Sequence, residues 1–292
     1  MDYFVSQVVS GLASGSIYAC LALAVVMIYQ AIHHVNFAQG EMAMFSTYIA
    51  WQLMDWGFPY WGAFALTVAI SFAGGWVLER TVLKPIHGAS ILTHIIVFIA
   101  LFTIFTSLAG FIWGYTVKPF PSPFGDGPLF PGGRIGKHQI GLIGVMAAVL
   151  LFLWAFFRFT RVGLAMRGAA SNPDSAGLVG VSVGVMTALG WGMASAIGAV
   201  AGMMIAPVVF LDPHIMLSIL IYAFAGAVLG GLTSPGGAVL GGLIVGVVEA
   251  LAGAYIPVVG SELKLPIALF LIVGVLLVKP AGLFGHRTVE RL

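Results

Sequence analysis

Two carboxylates stand where a carboxylate is costly. Glu41 and Glu249 both fall inside apolar stretches of the chain, and an acid in hydrocarbon normally faces a bundle interior or a water path. Each follows a stretch that breaks a helix. Asn36-Phe37-Ala38-Gln39-Gly40 precedes Glu41, and Gly230-Gly231-Leu232-Thr233-Ser234-Pro235-Gly236-Gly237 precedes the segment that carries Glu249. Interrupted helices in corresponding places of two halves point to a transport path. The chemistry open to such groups is proton exchange, gating or the passage of a polar solute. The residues expected at a path or gate are therefore Asn36, Phe37, Gln39, Gly40, Glu41, Gly230, Gly231, Ser234, Pro235, Gly236 and Glu249. The competing account is an acid that simply bonds a neighbouring helix.

A second polar stretch, residues 158–183, carries Arg158, Arg161 and Arg167, then Asn172-Pro173-Asp174 and Gly180. Asn172 is placed to cap a short helix, with Pro173 at its first position and Asp174 in its first turn. A short helix with small surface residues, held between two spans, is a docking shape. Gly180-Val181-Ser182-Val183-Gly184 formally matches the hydrolase nucleophile elbow. That motif needs a strand before it and an oxyanion loop elsewhere, and here a polar loop precedes it. No lysine is followed by serine or threonine, so there is no Walker A motif, and H-E-x-x-H is absent too. Cys20 is the single cysteine, which excludes a disulfide framework and a cysteine-based metal site. His33 and His34 end the first apolar run, where interfacial placement explains them better than metal or proton handling. No catalytic residue and no metal site are expected.

The elements that position these groups follow from composition. The chain has 292 residues, 60% hydrophobic and 8% charged, with a mean hydropathy of +1.08. Soluble domains are ~25% charged, and disordered chains are poor in apolar residues, so both classes are excluded. Twelve basic residues against ten acidic ones leave a net charge of +2, with no basic run to suggest nucleic acid. The partner that this composition demands is the lipid bilayer. Apolar runs predict helices over 5–29, 37–54, 59–79, 91–113, 140–157, 184–210, 218–232, 236–254 and 264–279. Open strands cannot cross a bilayer, and a closed barrel shows alternating polarity that these runs lack. The expected fold is all-α: a polytopic helical bundle of about eight or nine membrane segments, one or two of them broken or re-entrant. Residues 1–292 form a single transmembrane domain on this reading. The Leu232–Pro235 break reads equally as a hairpin or as a broken helix.

Lysine and arginine bias orients the bundle. Arg80, Lys84, Arg158, Arg161, Arg167, Lys279, Arg287 and Arg291 fall on one side, against Lys118, Arg134, Lys137 and Lys264 on the other. The first set is expected in the cytoplasm with the C-terminus, and the N-terminus outside. The segment 114–139, with five prolines, becomes an external loop stiffened by fixed φ angles. Glycines recur four apart at Gly11/Gly15, Gly198/Gly202, Gly226/Gly230, Gly237/Gly241 and Gly242/Gly246, a spacing that lets helices approach closely.

Taken in order, several stretches resemble the membrane subunit of branched-chain amino-acid ABC importers, the LivH/LivM permease type. They are Gly15 to Leu23, Val35 to Glu41, Thr160 to Arg167, Asn172 to Gly180, Ala223-Phe224, Val228 to Ala238, Gly241-Gly242, Glu249 and Lys279 to Gly285. Gln39 stands where many members have histidine, Tyr222 where many have lysine, and Gln30 where glycine is frequent. The resemblance implies a permease of the bacterial inner membrane that carries branched-chain or related amino acids, while relatives carry urea, short amides and aromatic acids. It also implies a second permease subunit, two cytoplasmic ATP-binding subunits and an external solute-binding protein. ATP and Mg would be hydrolysed by those partners, with no cofactor bound by this chain. The family's coupling loop maps onto Arg161, Gly163, Arg167, Asn172, Pro173, Asp174, Ala176 and Gly180. The rival from the residues alone is a self-sufficient proton-coupled transporter or channel for a small polar solute, using Glu41 and Glu249.

Overall fold

The computed structural model describes residues 2–32, 34–125, 127–130, 133–256 and 263–285. Among the described residues the chain is mainly helical, and β pairing is limited to isolated bridges at Lys118/Leu211 and Pro128/Gly136. The helices are α1 (Asp2–Ile32), α2 (Gln39–Asp55), α3 (Tyr60–Leu78), α4 (Ile91–Trp113), α5 (Lys137–Phe159), α6 (Arg161–Ser171), α7 (Pro173–Leu178), α8 (Val183–Val209), α9 (Ile215–Gly230), α10 (Pro235–Tyr255) and α11 (Lys264–Val278). The nine helices expected from the apolar runs are all present, with no end displaced by more than three residues.

The count of eight or nine membrane segments does not carry over so directly. Six of the described helices are long and apolar enough to cross a membrane: those within Tyr3–Gln30, Tyr60–Ile86, Ile91–Trp113, Lys137–Phe159, Val183–Val209 and Pro235–Tyr255. A straight crossing takes ~20 residues, whereas α9 and α11 are apolar helices of only 16 and 15; α2 has 17 and is more polar, with Gln39, Glu41, Gln52 and Asp55 along it. α3 continues through a π-helical turn, Glu79–Leu83, into a 3-10 turn, Lys84–Ile86. Pro85 accounts for the change, since it has no N–H to donate and its ring crowds the carbonyl four residues back.

The chain divides into two compact units. The first comprises residues 1–26, 124–146 and 218–292. Its organising helix is α10, which meets two neighbours through two adjacent glycine stripes. Gly237 and Gly241 face Gly230 and Gly226 of α9, while Gly242 and Gly246 face Ala19 and Gly15 of α1. Residue numbers fall on one helix as they rise on the other, so α10 is antiparallel to both. A Cβ at Gly242 would stand 2.5 Å from the Ala19 Cα, and one at Gly226 would stand 2.6 Å from the Gly242 Cα. Backbones this close leave room for hydrogen only. Ala22, Val26, Ala227 and Ala238 continue the packed seam, with Leu232 against it. This is close packing by small residues, the means by which helices associate where lipid removes a hydrophobic driving force.

The second unit comprises residues 27–123 and 147–217. α2, α3 and α8 pack together at its centre. α3 is antiparallel to α8, with Gly75 against Trp191 and Ser195 and Gly192 against Phe72. α2 runs parallel to α8, so that Gly198 faces Gln39 and Ala43 while Gly202 faces Ala43 and Thr47. Every glycine pair singled out in the sequence thus meets a helix. Trp191, Tyr48 and Phe98 are the largest side chains fully buried in this unit, and Phe98 stacks on Trp191.

Candidate functional site

Four clusters hold the sequence-predicted residues. The first opens α2. Asn36 Oδ1 accepts the Ala38 N–H at 3.0 Å, a side-chain turn that sets the chain's entry into the helix. Its amide nitrogen lies 3.5 Å from Gln39 Oε1. Gln39 is fully buried, and its Nε2 donates at 2.8 Å to the Ala194 carbonyl on α8. Two residues on, Glu41 is 1% exposed, and its Oε2 accepts from Thr106 Oγ1 on α4 at 2.9 Å. Gly40 is buried between them, and Phe37 is exposed. The polar strip continues along α2 through Ser46, bonded to Ser71 on α3 at 2.8 Å, and Thr47, bonded to its own helix at Ala43. Tyr48 Oη and Thr67 Oγ1 are buried without a hydrogen-bond partner among the described residues. Asn36, Gln39 and Glu41 are therefore brought together as expected. Thr106 and Ala194 were not foreseen, because their partners lie far away in sequence.

The second cluster is the α9–α10 turn, where the structure decides between the two readings of Leu232–Pro235. Gly231 has φ +104°, a left-handed value that favours glycine. Ser234 Oγ accepts the Gly237 N–H at 3.1 Å with Pro235 at the first helical position, a regular helix start. The helices then run back against each other, so the break is a tight hairpin. Its outer corner, Pro235 and Gly236, is exposed. The segment after α11 seals the inner side: Leu283 N–H donates to the Leu229 carbonyl at 2.8 Å and Phe284 N–H to the Gly230 carbonyl at 3.0 Å. Lys279 Nζ closes this strap on the Leu283 carbonyl at 2.7 Å. Two of the carbonyls left open at the end of α9 are thereby capped by a distant stretch of chain.

The third cluster surrounds Glu249, away from the turn that was grouped with it. Tyr18 Oη on α1 donates to Glu249 Oε2 at 2.7 Å, and Lys264 Nζ on α11 stands 3.7 Å from Oε1. The Tyr18 ring stacks on Tyr222 of α9, centroids 5.0 Å apart. Lys264 opens the helix predicted over 264–279, and α11 starts there. Its role emerges only from the start of α11 beside α10.

The fourth cluster lies beyond the end of α5. A single short helix was expected over 158–183, and two are present. Thr160 Oγ1 accepts the Gly163 N–H at 2.9 Å and starts α6. A Cβ at Gly163 would stand 2.7 Å from Phe157 Cα, so glycine is what lets the chain fold back so sharply. Met166 and Ala169 join Gly163 on the buried face of α6, which packs on α8, and Arg161 and Arg167 are exposed. Asn172 then caps α7 as expected, its Oδ1 accepting the Ser175 N–H at 2.9 Å, with Pro173 first and Asp174 in the first turn. Ala176 is buried, and Gly180, φ +87°, ends the turn. Leu178 and Val179, at the tip, are 89% and 80% exposed. Ser182 precedes α8 and follows α7 and its turn. No strand leads into it, so the nucleophile-elbow reading falls. His34 stacks on His94, centroids 4.5 Å apart, while His33 lies outside the described residues.

Comparison with known proteins adds an independent line. A family model described as the branched-chain amino acid transport system permease component matches residues 7–278. The chain is 31% identical to the high-affinity branched-chain amino acid transport system permease protein LivH of Escherichia coli (strain K12), over 99% of this chain and 98% of that one. Its counterpart LivH from Salmonella typhimurium is 32% identical over the same shares. The high-affinity branched-chain amino acid transport system permease protein BraD of Pseudomonas aeruginosa is 30% identical, again over 99% and 98%.

Proposed function

The chain belongs to the branched-chain amino acid transport permease family and is a multi-pass membrane protein, and from that premise we propose that it is the membrane-spanning subunit of an ATP-driven ABC importer for branched-chain or related amino acids. It sits in the bacterial inner membrane with its N-terminus outside and its C-terminus in the cytoplasm. The shorter helices α2, α9 and α11 complete the bundle as partial segments. That brings the membrane-inserted helices to nine.

The observation that carries this reading is the α6–α7 elbow. A helix braced on α8 by Gly163, Met166 and Ala169 presents a capped, six-residue helix whose tip is the apolar pair Leu178 and Val179. Apolar side chains held this far into solvent, outside every apolar span, favour a protein partner. Two cytoplasmic ATP-binding subunits are that partner in our reading. They hydrolyse ATP with Mg, and their closure moves α7. The rigid elbow passes the motion to α5 at Arg158 and to α8 at Gly184. Arg161, Arg167, Asn172, Pro173, Asp174, Ala176 and Gly180 shape and cap the docking element. An external solute-binding protein delivers cargo, and a second permease subunit completes the membrane part. Asn36, Phe37, Gln39, Gly40, Glu41 and Glu249 serve the path or its gates, while Gly230, Gly231, Ser234, Pro235 and Gly236 form the hairpin that holds α9 and α10 in place.

The test is purification of the tagged chain from its native membranes in mild detergent, with identification of what accompanies it. Recovery of ATP-binding subunits and a second permease chain supports the reading. A chain that emerges alone even after crosslinking contradicts it.

A further inference from the structure

The Glu249–Lys264 pair occupies an unusual depth. α10 begins at Pro235 and α11 ends at Val278 near one another, since Phe284 bonds the Gly230 carbonyl and its Cβ lies beside Gly237. Measured along its own helix from that common end, each charged residue stands about 21 Å away at 1.5 Å per residue. Glu249 lies inside Pro235–Tyr255, a helix long and apolar enough to cross a membrane, and with the common end at one surface of a ~30 Å hydrocarbon core both charges would fall within that core. Intramembrane charges of this kind mark substrate and ion pathways. The pair is also loose and reachable. Its N···O distance is 3.7 Å, and the side chains of Glu249 and Lys264 are 14% and 34% exposed. Tyr18 Oη holds the other Glu249 oxygen at 2.7 Å, and the stacked rings of Tyr18 and Tyr222 border the site.

We propose that Glu249 and Lys264 bind the zwitterionic backbone of the transported amino acid by exchanging each other for it. The cargo ammonium takes the place of Lys264 at Glu249 Oε1, and the cargo carboxylate takes the place of Glu249 at Lys264 Nζ. Tyr18 keeps Glu249 oriented through the exchange with a charge-assisted hydrogen bond. The Tyr18 and Tyr222 rings face the apolar side chain. Charge bookkeeping selects the cargo. Two ion pairs replace one, and the site is neutral both before and after. A plain amine or a plain acid would break the pair and leave one buried charge uncompensated, which is the costly case and a means of rejection. The inference rests on the amino-acid transport reading.

The experiment uses the whole complex in proteoliposomes, with ATP, the solute-binding protein and L-leucine as probe. E249Q/K264M removes both charges together, a change that a purely structural pair tolerates. E249K/K264E restores an ion pair but reverses its polarity. We expect E249Q/K264M to assemble with unchanged thermal stability and to lose uptake by at least about tenfold, while ATP hydrolysis stimulated by the loaded binding protein persists. The reversed pair is expected to assemble without recovering uptake. Wild-type uptake in either double variant overturns the proposal and makes the pair a brace. Failure of both to assemble assigns the pair to folding and overturns it as well. A wild-type complex that moves no leucine or other amino acid under ATP overturns the transport reading itself, and the site with it.

Discussion

Thr106 Oγ1 on α4 stands 2.9 Å from Glu41 Oε2 on α2 and also 2.9 Å from the Phe102 carbonyl on its own helix. One hydroxyl proton serves two acceptors. Its bond to the carboxylate can therefore be surrendered without leaving the hydroxyl unpaired, since the helix carbonyl is always in reach. Parting α2 from α4 at that point would leave the hydroxyl paired and would cost the buried Glu41 carboxylate this hydrogen bond.

Thr106→Val keeps the shape and removes the donor. It is expected to lower stability by about 1–3 kcal/mol, the cost of a buried acceptor losing its partner, read as a lower Tm of the purified complex. Glu41→Gln keeps the hydrogen bond and removes the charge. Uptake should fall about tenfold or more in that variant while assembly is retained, and unchanged uptake would reduce Glu41 to packing.

Gly242 and Gly144 make a matched contrast. Gly242→Val places carbon atoms against the α1 backbone, 2.5 Å from the Ala19 Cα for its Cβ alone. Overpacking of this kind costs about 1–3 kcal/mol or more, so the variant is expected to assemble poorly. Gly144 on α5 has open space around it. Gly144→Ala is expected to be neutral or to stabilise by about 0.5–1 kcal/mol through helix propensity. Thermal unfolding of the two side by side checks both signs.

At the α6–α7 elbow, Leu178→Asp and Val179→Asp alter exposed tips that support nothing inside the chain. The chain should insert and fold normally. What should be lost is coupling, seen as ATP hydrolysis that no longer responds to the loaded binding protein. Arg167→Glu is expected to act in the same direction. Asn172→Ala removes the cap of α7 at a local cost of about 1 kcal/mol and should weaken coupling partially. Normal stimulation in all four variants would sink the docking assignment.

The strap after α11 makes a backbone prediction. Phe284→Pro removes the N–H that reaches the Gly230 carbonyl at 3.0 Å, leaving the end of α9 one cap short. A loss of about 1–3 kcal/mol is expected. Phe284→Ala keeps the N–H and should cost less. Equal effects of the two would mean that the ring, and not the bond, holds the strap.

The helices themselves were legible because apolar runs and capping residues act locally. Asn172, Pro173 and Asp174 announced α7, and the apolar run over 236–254 announced α10, whose Ser234 cap only the structure showed. The glycine pairs announced close approach, but not that α10 would carry two stripes turned toward different neighbours. α6 escaped notice because Gly163 and Gly168 lower its helix propensity; the cap at Thr160 and the buried stripe Gly163, Met166, Ala169 outweigh them. The partners of the acids were illegible for a different reason. Thr106 sits in an unbroken apolar helix, and Lys264 opens a short apolar one. Only packing tells which side chain each acid meets.

The most direct test of the account is uptake of labelled L-leucine into proteoliposomes holding this chain with the subunits that accompany it. An ATP-driven importer subunit is expected to give uptake that requires both ATP inside and the solute-binding protein outside, and that an imposed proton gradient cannot replace. Equal uptake by this chain alone, without ATP and driven by a proton gradient, would contradict it.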